Sequence, residues 1–284
     1  MAQILDGKVQ AVVIKERIKN RISALSEEMA GSFIRPCMAV VQVGADPAST
    51  IYIRQKERAC AEVGLDFRKI SLPGDITREA MLAEIDKLND DKNVHGFMVQ
   101  QPLPPQLDTD EVVERISPRK DVDCLHPFNV GLVSEKRALL LPCTPAGVIE
   151  LLDAYGINLE GKHCVIIGRS RIVGKPLGMM MLGRNATVTY CHSCTNNLAE
   201  ITKQADVLAV AIGRAKFLSS DMIKPGCVLV DVGINRLEDG KICGDINYED
   251  CFEKASYITP VPGGVGPMTV AMLVANGLKA WESN

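Results

Sequence analysis

His163-Cys164-Val165-Ile166-Ile167-Gly168-Arg169-Ser170-Arg171-Ile172-Val173-Gly174-Lys175-Pro176 is the stretch that decides the fold class. A short apolar run closed by glycine is the pattern of a strand buried on both faces. Two glycines then bracket a turn, and the proline after them opens a helix. Strand, glycine-bracketed turn and helix aim backbone N–H groups and a helix N-terminus at a phosphate. The stretch departs from G-x-G-x-x-G, with an arginine and a serine where glycines would stand. It also misses G-x-x-x-x-G-K-[ST], because one residue is extra and Pro176 replaces the hydroxyl that magnesium needs, so a kinase or ATPase is excluded.

The next apolar run, residues 186–191, sharpens the phosphate reading. NAD enzymes place an acid at the end of this strand to hold the ribose 2'-hydroxyl. Here Tyr190-Cys191-His192-Ser193 offers no carboxylate while Arg169 stands in the loop, which favours NADP over NAD. Further runs at 207–213, 227–233 and 257–260, after a helix start at Thr144-Pro145, continue an alternating parallel-sheet pattern. Upstream, runs at 38–44, 67–72 and 94–99 alternate with helical patterns at 48–63 and 77–88, giving β-α-β-α-β. Periodicity fades between residues 117 and 142, where Pro118, Pro127, Gly131 and Pro142 punctuate the chain. The expected fold class is therefore α/β, with two α/β lobes around a cleft, the second a Rossmann-like parallel sheet binding NADP. Residues 1–140, joined by the closing helix 268–284, form the first lobe and residues 141–267 the second.

With 284 residues the chain has room for two domains at ~150 residues each. Apolar content of 46% against 24% charge supports folded cores and argues against disorder. A net charge of -3 with scattered basic residues gives no field for nucleic acid or an anionic membrane. Asp6 and Lys8 interrupt the stretch where a signal peptide needs apolar residues, and no apolar run nears the ~20 residues of a membrane helix, so a cytoplasmic protein is expected. The ten cysteines are dispersed, as in a reducing compartment. Cys191-His192-Ser193-Cys194 is a single C-x-x-C without a second ligand pair, and no metal site is expected.

Chemistry-bearing residues cluster in the first lobe. Tyr52 and Lys56 lie one helical step apart, so a ring and an amine share a helix side, although any amphipathic surface helix produces such pairs. Gln100 ends a strand at the carboxyl edge, where open α/β sheets place ligand groups. Asp121 and Asp123 sit in the joint, where either can organise an Asx-type turn. Pro262 and Gly263 begin a glycine-rich turn that lets backbone approach a ligand.

Taken in order, Ser49-x-x-Tyr52-x-x-x-Lys56, Gln100-x-Pro102-Leu103-Pro104, Lys120-Asp121-Val122-Asp123, Pro142-Cys143-Thr144-Pro145, Gly168-Arg169-Ser170-x-x-Val173-Gly174-x-Pro176 and Pro262-Gly263-Gly264-Val265-Gly266-Pro267-Met268-Thr269 resemble the signature set of the bifunctional methylenetetrahydrofolate dehydrogenase/cyclohydrolases. The resemblance spans almost the whole chain. It implies NADP-dependent oxidation of 5,10-methylenetetrahydrofolate to the 5,10-methenyl form, then hydrolysis to 10-formyltetrahydrofolate, by a homodimer. It further implies that Lys56 is the catalytic lysine, Gln100 its hydrogen-bonding partner, Tyr52 the ring stacking on the folate and Asp123 the carboxylate gripping the pterin, with Pro262 and Gly263 also at the substrate. Gly168, Arg169, Ser170, Val173, Gly174, Ser193, Ile234 and Thr144 match cofactor-binding positions. A dehydrogenase without the hydrolytic step and a dinucleotide-binding protein without chemistry are the alternatives; retention of Lys56 and Gln100 argues against the first, and the second leaves the order of Tyr52, Lys56, Gln100 and Asp123 unexplained. Two departures from the family pattern stand out, Cys124 in place of glycine and Gln101 in place of leucine, and a positive φ at position 124 would strain a cysteine.

Overall fold

The computed structural model describes residues 1–283. Along the chain the elements run β1 (Gln3–Ile4), α1 (Gly7–Glu28), β2 (Cys37–Val43), α2 (Pro47–Val63), β3 (Asp66–Leu72), α3 (Arg78–Asp90), β4 (Gly96–Val99), α4 (Thr109–Arg115), α5 (Pro127–Ser134) and α6 (Cys143–Ala154). They continue as β5 (His163–Ile167), α7 (Gly174–Leu182), β6 (Thr187–Cys191), α8 (Leu198–Thr202), β7 (Val207–Val210), β8 (Val228–Asp231), β9 (Asn235–Arg236), β10 (Ile242–Cys243), α9 (Tyr248–Phe252), β11 (Tyr257–Ile258) and α10 (Val265–Glu282). Among the described residues, no helix is long and apolar enough to cross a membrane.

Two units divide these elements. One holds Thr144–Thr269 together with Met1–Ala11 and Val133–Lys136. Its six strands are all parallel, in the order β1-β11-β8-β7-β5-β6. Strands β5, β7 and β8 are apolar and buried along almost their whole length, as helices on both faces of a parallel sheet demand. From β5 the chain first goes outward to β6 and then returns to the other side at β7. This reversal is the topological switch point at which doubly wound sheets bind ligands beyond their carboxyl ends.

The other unit holds Val12–Leu132, Arg137–Cys143 and the chain from Val270 onward. Its parallel sheet has the order β3-β2-β4, and Phe97 pairs with Asp121 in an isolated bridge that lays the 120–122 segment beside β4. Helix α2 starts cleanly because the Asp46 carboxylate accepts from the Ser49 amide (2.7 Å) with Pro47 in the first turn, and it stops at Gly64 with φ 89°. Along α2, Ile53, Cys60 and Val63 are buried, and Lys56 falls on the same stripe by the 3-4-3 spacing.

Three features differ from the sequence reading. The expected first lobe began at residue 1, yet Gln3–Ile4 pair in parallel with Tyr257–Ile258, because a two-residue strand finds its partners through backbone bonds that leave no periodicity. Helix α1 spans 22 residues without an acidic residue in its first turn or a basic one in its last. The segment 117–142 contains α5, whose Pro127 starts the helix rather than breaking the chain.

Candidate active site

In the second-described unit, Lys56, Gln100 and Asp123 come together from three chain segments. The Lys56 Nζ donates to Gln100 Oε1 at 2.8 Å and lies 3.2 Å from the Met98 sulfur. Gln100 leaves one orientation for its oxygen, because its Nε2 donates to the Gln101 carbonyl (2.9 Å) while its backbone N–H donates to Val41 (2.8 Å). Burial lowers the Lys56 pKa below 10.5, since removing water penalises the ammonium; the Asp123 carboxylate, and less strongly Cys143 and Cys60, push it back up. Tyr52, one helical step before Lys56, keeps 43% of its surface exposed. A partly desolvated amine, a fixed amide oxygen and a nearby carboxylate form a set that can hold and move a proton.

Residues that the sequence reading missed hold this set in place. Asn276 on α10 is fully buried, and its Nδ2 donates to the carbonyls of Val122 (2.8 Å) and Leu141 (2.7 Å). Its Oδ1 accepts from Leu141 N (3.3 Å), so one side chain ties the Asp123 segment to the irregular chain leading into Cys143. The buried Cys143 thiol is pushed well above its ordinary pKa by burial first and by Asp123 second. Asp121 is the turn former of the pair: buried, it accepts from His126 N (2.8 Å) and Asn129 Nδ2 (3.0 Å), and desolvation raises its pKa. Position 124 does adopt positive φ, 56°, with the Cys124 thiol directed at the Leu140 carbonyl (3.2 Å).

The Rossmann-like unit carries the loop between β5 and α7. Gly168 has φ 125°, and a Cβ there would run into the Ala211 carbonyl; a Cβ on Gly174 would run into the Gly168 carbonyl. Both glycines are therefore fixed by close backbone approach. Between them, Ser170 Oγ accepts from Val173 N (3.1 Å) and Gly174 N (3.3 Å), which caps the start of α7. A cavity of about 460 Å³ opens at the carboxyl ends of β5, β6 and β7, lined among others by Gly168, Arg169, Ser193, Ile212, Arg214 and Phe217. Among the described residues, no Asp or Glu lines it. Val173 occupies the residue before α7, and Ile234, 52% exposed, follows Gly233 beyond β8. The Thr144 hydroxyl lies 3.0 Å from that of Thr269, and Gly263, next to Pro262, has φ 115° and accepts from Lys8 N (3.1 Å). Ser170, Val173, Gly174, Ile234, Thr144, Pro262 and Gly263 are not in the cavity wall.

Two buried carboxylates that the sequence reading also missed shape the cavity rim. Asp245 Oδ2 accepts from Ile212 N (2.7 Å) and Gly213 N (2.9 Å), and its Oδ1 from Arg214 N (2.8 Å) and Asn235 Nδ2 (2.9 Å). Asp231 accepts from Gly233, Asp245 and Ile246 amides at 3.0, 2.9 and 2.8 Å. Burial, reinforced by the Asp245 charge, lifts Asp231 to about 7 despite these three donors. The only trace of the pair in the sequence is two aspartates flanking a weak hairpin.

Both halves of the chain match known families. The model described as the tetrahydrofolate dehydrogenase/cyclohydrolase catalytic domain matches residues 5–123, and that of the corresponding NAD(P)-binding domain matches residues 142–284. The protein described as bifunctional protein FolD from Halalkalibacterium halodurans is 50% identical over 279 residues, 98% of either chain. The structure of the bifunctional methylenetetrahydrofolate dehydrogenase/cyclohydrolase from Campylobacter jejuni has a TM-score of 0.96 at 47% identity, covering 100% of this chain and 99% of that one. The Trypanosoma brucei dehydrogenase-cyclohydrolase, complexed with NADP cofactor and inhibitor, has a TM-score of 0.94 at 34% identity, covering 99% and 98%. With both domain models matched and such identity sustained over its length, the chain belongs to the tetrahydrofolate dehydrogenase/cyclohydrolase family.

Proposed function

We propose that this chain oxidises 5,10-methylenetetrahydrofolate with NADP to 5,10-methenyltetrahydrofolate and then hydrolyses that product to 10-formyltetrahydrofolate. The observation that carries the second step is the Lys56 amine, drawn below its ordinary pKa by burial and held on the Gln100 oxygen. NADP suits a cavity that combines Arg169 with the absence of any lining carboxylate, since nothing there repels a 2'-phosphate. When bound, the cofactor supplies the hydride acceptor for the first step. Gly168 and Gly174 let the backbone close on its phosphates, and Ser170 holds the loop that does so. The protein's task in that step is to orient the two partners.

Hydrolysis needs proton movement. Water forms a bond to the methenyl carbon as its proton passes to the neutral Lys56 amine. The hydroxylated intermediate then loses its hydroxyl proton as the bond from the carbon to N5 breaks and N5 gains a proton, and the one proton left over is released to solvent. Gln100 keeps the amine aimed. Asp123 accepts paired hydrogen bonds from the amino-pyrimidinone edge of the pterin, as carboxylates do from guanidinium groups, and the exposed Tyr52 ring stacks on the folate. The family resemblance further suggests a homodimer in the cytoplasm, which sedimentation and cell fractionation test. Purified protein given NADP and 5,10-methylenetetrahydrofolate is expected to produce NADPH and 10-formyltetrahydrofolate in equal amounts. NADPH accompanied only by methenyltetrahydrofolate refutes the second activity.

A further inference from the structure

Arg169 is the cation that the sequence places beside the cofactor; the cavity holds another. The geometry points to Arg214 as a specificity-determining residue that shares the 2'-phosphate of NADP with Arg169, an assignment that rests on the cofactor reading above. Both arginines line the cavity together with Ser193. Neither has a carboxylate partner among the described residues, so both guanidinium charges are available to a ligand. A phosphate monoester carries close to two negative charges near neutral pH, more than one guanidinium neutralises.

The main chain at Arg214 is fixed, because its amide donates to the buried Asp245 carboxylate at 2.8 Å. That carboxylate also binds the two preceding amides, so the residue cannot drift with a loose loop. The side chain is fixed as well: the guanidinium carbon lies 4.7 Å from the Phe217 ring centroid, and Phe217 packs against the core of the sheet. Stacking on a ring occupies the flat face of a guanidinium and leaves its N–H donors at the edge for an oxyanion. An arginine held in this way spends little side-chain entropy on binding, and its charge-assisted bonds to phosphate are the strong kind.

The test uses the full-length protein and two ligands that differ only in the 2'-phosphate, adenosine 2',5'-bisphosphate and 5'-AMP, with Kd read by titration calorimetry. For R214Q the bisphosphate is expected to bind ~10-fold to 100-fold more weakly, as loss of a charge-assisted contact implies, while 5'-AMP changes by less than ~3-fold. Arg214→Lys, which keeps the charge without the planar stack, should fall between R214Q and the parent. Retained 5'-AMP binding shows that each variant is folded. Equal loss for both ligands would mean that Arg214 merely contacts the adenosine, and no loss for either would mean that it contacts nothing; each result overturns the assignment. A parent protein that fails to prefer the bisphosphate overturns the NADP reading and this assignment together, whereas a preference that survives R214Q overturns the assignment alone.

Discussion

Burial acts on the Lys56 amine from two sides. Taking it out of water lowers its pKa, and bringing it near Asp123 raises it again, with the first effect the larger. Its neutral form is therefore reached at lower pH than that of a surface lysine, and the rising limb of kcat/KM for methenyl hydrolysis should lie below 10.5. Asp123→Asn deletes the charge that opposes desolvation, so the limb should move to still lower pH while KM for folate rises; a limb moving upward would contradict the electrostatic role. Position 124 offers a second test at this scale. With φ at 56°, any side chain is strained there, and both Gly and Ala lose the buried thiol. Cys124→Gly should therefore be more stable than Cys124→Ala by ~1 kcal/mol in urea unfolding, the reverse of the usual order in regular structure. The family pattern, glycine at this position, made the strain legible beforehand. The burial of Lys56 was not legible: four-residue spacing to Tyr52 is common to surface helices, and only the 3-4-3 stripe with Ile53, Cys60 and Val63 turns the amine inward.

At the scale of elements, the β5–α7 connection shows how an irregular fingerprint still gives the tight glycine-bracketed turn that a phosphate loop needs. Gly174 is required by the nearby Gly168 carbonyl, and an added methyl would have to displace backbone. Gly174→Ala should cost ~1–3 kcal/mol in the liganded loop geometry and weaken NADP by at least ~10-fold in fluorescence titration. Unchanged affinity would show that the loop lies away from the phosphates. This connection was readable because a buried strand, two glycines and a proline are local signals. The Asp231–Asp245 pair was not readable, because six of its seven hydrogen bonds join residues ten or more positions apart, and a hairpin as short as β9–β10 has little alternation to detect. The amide clamp of Asn276 escaped for the same reason: its partners, Val122 and Leu141, lie over 130 residues away.

Across the whole molecule, the alternation of strands and helices was visible over residues 38–99 and again from residue 144, and the six motifs in register identified the family that both domain models match. What alternation could not assign was the first strand, whose two residues join the sheet of the Rossmann-like unit rather than the lobe that follows them. A dehydrogenase step and a hydrolase step in one chain make different demands, and Lys56 separates them: orientation carries the first, proton transfer the second. The decisive measurement follows NADPH and the methenyl absorbance together after NADP and 5,10-methylenetetrahydrofolate are given to the parent protein and to Lys56→Met. The parent should form NADPH while methenyltetrahydrofolate stays low. Lys56→Met should bind NADP normally, while enzymatic hydrolysis of added methenyltetrahydrofolate falls by ~100-fold or more. Hydrolysis at the parent rate in Lys56→Met, or no methenyl and no NADPH from the parent, would contradict the assignment.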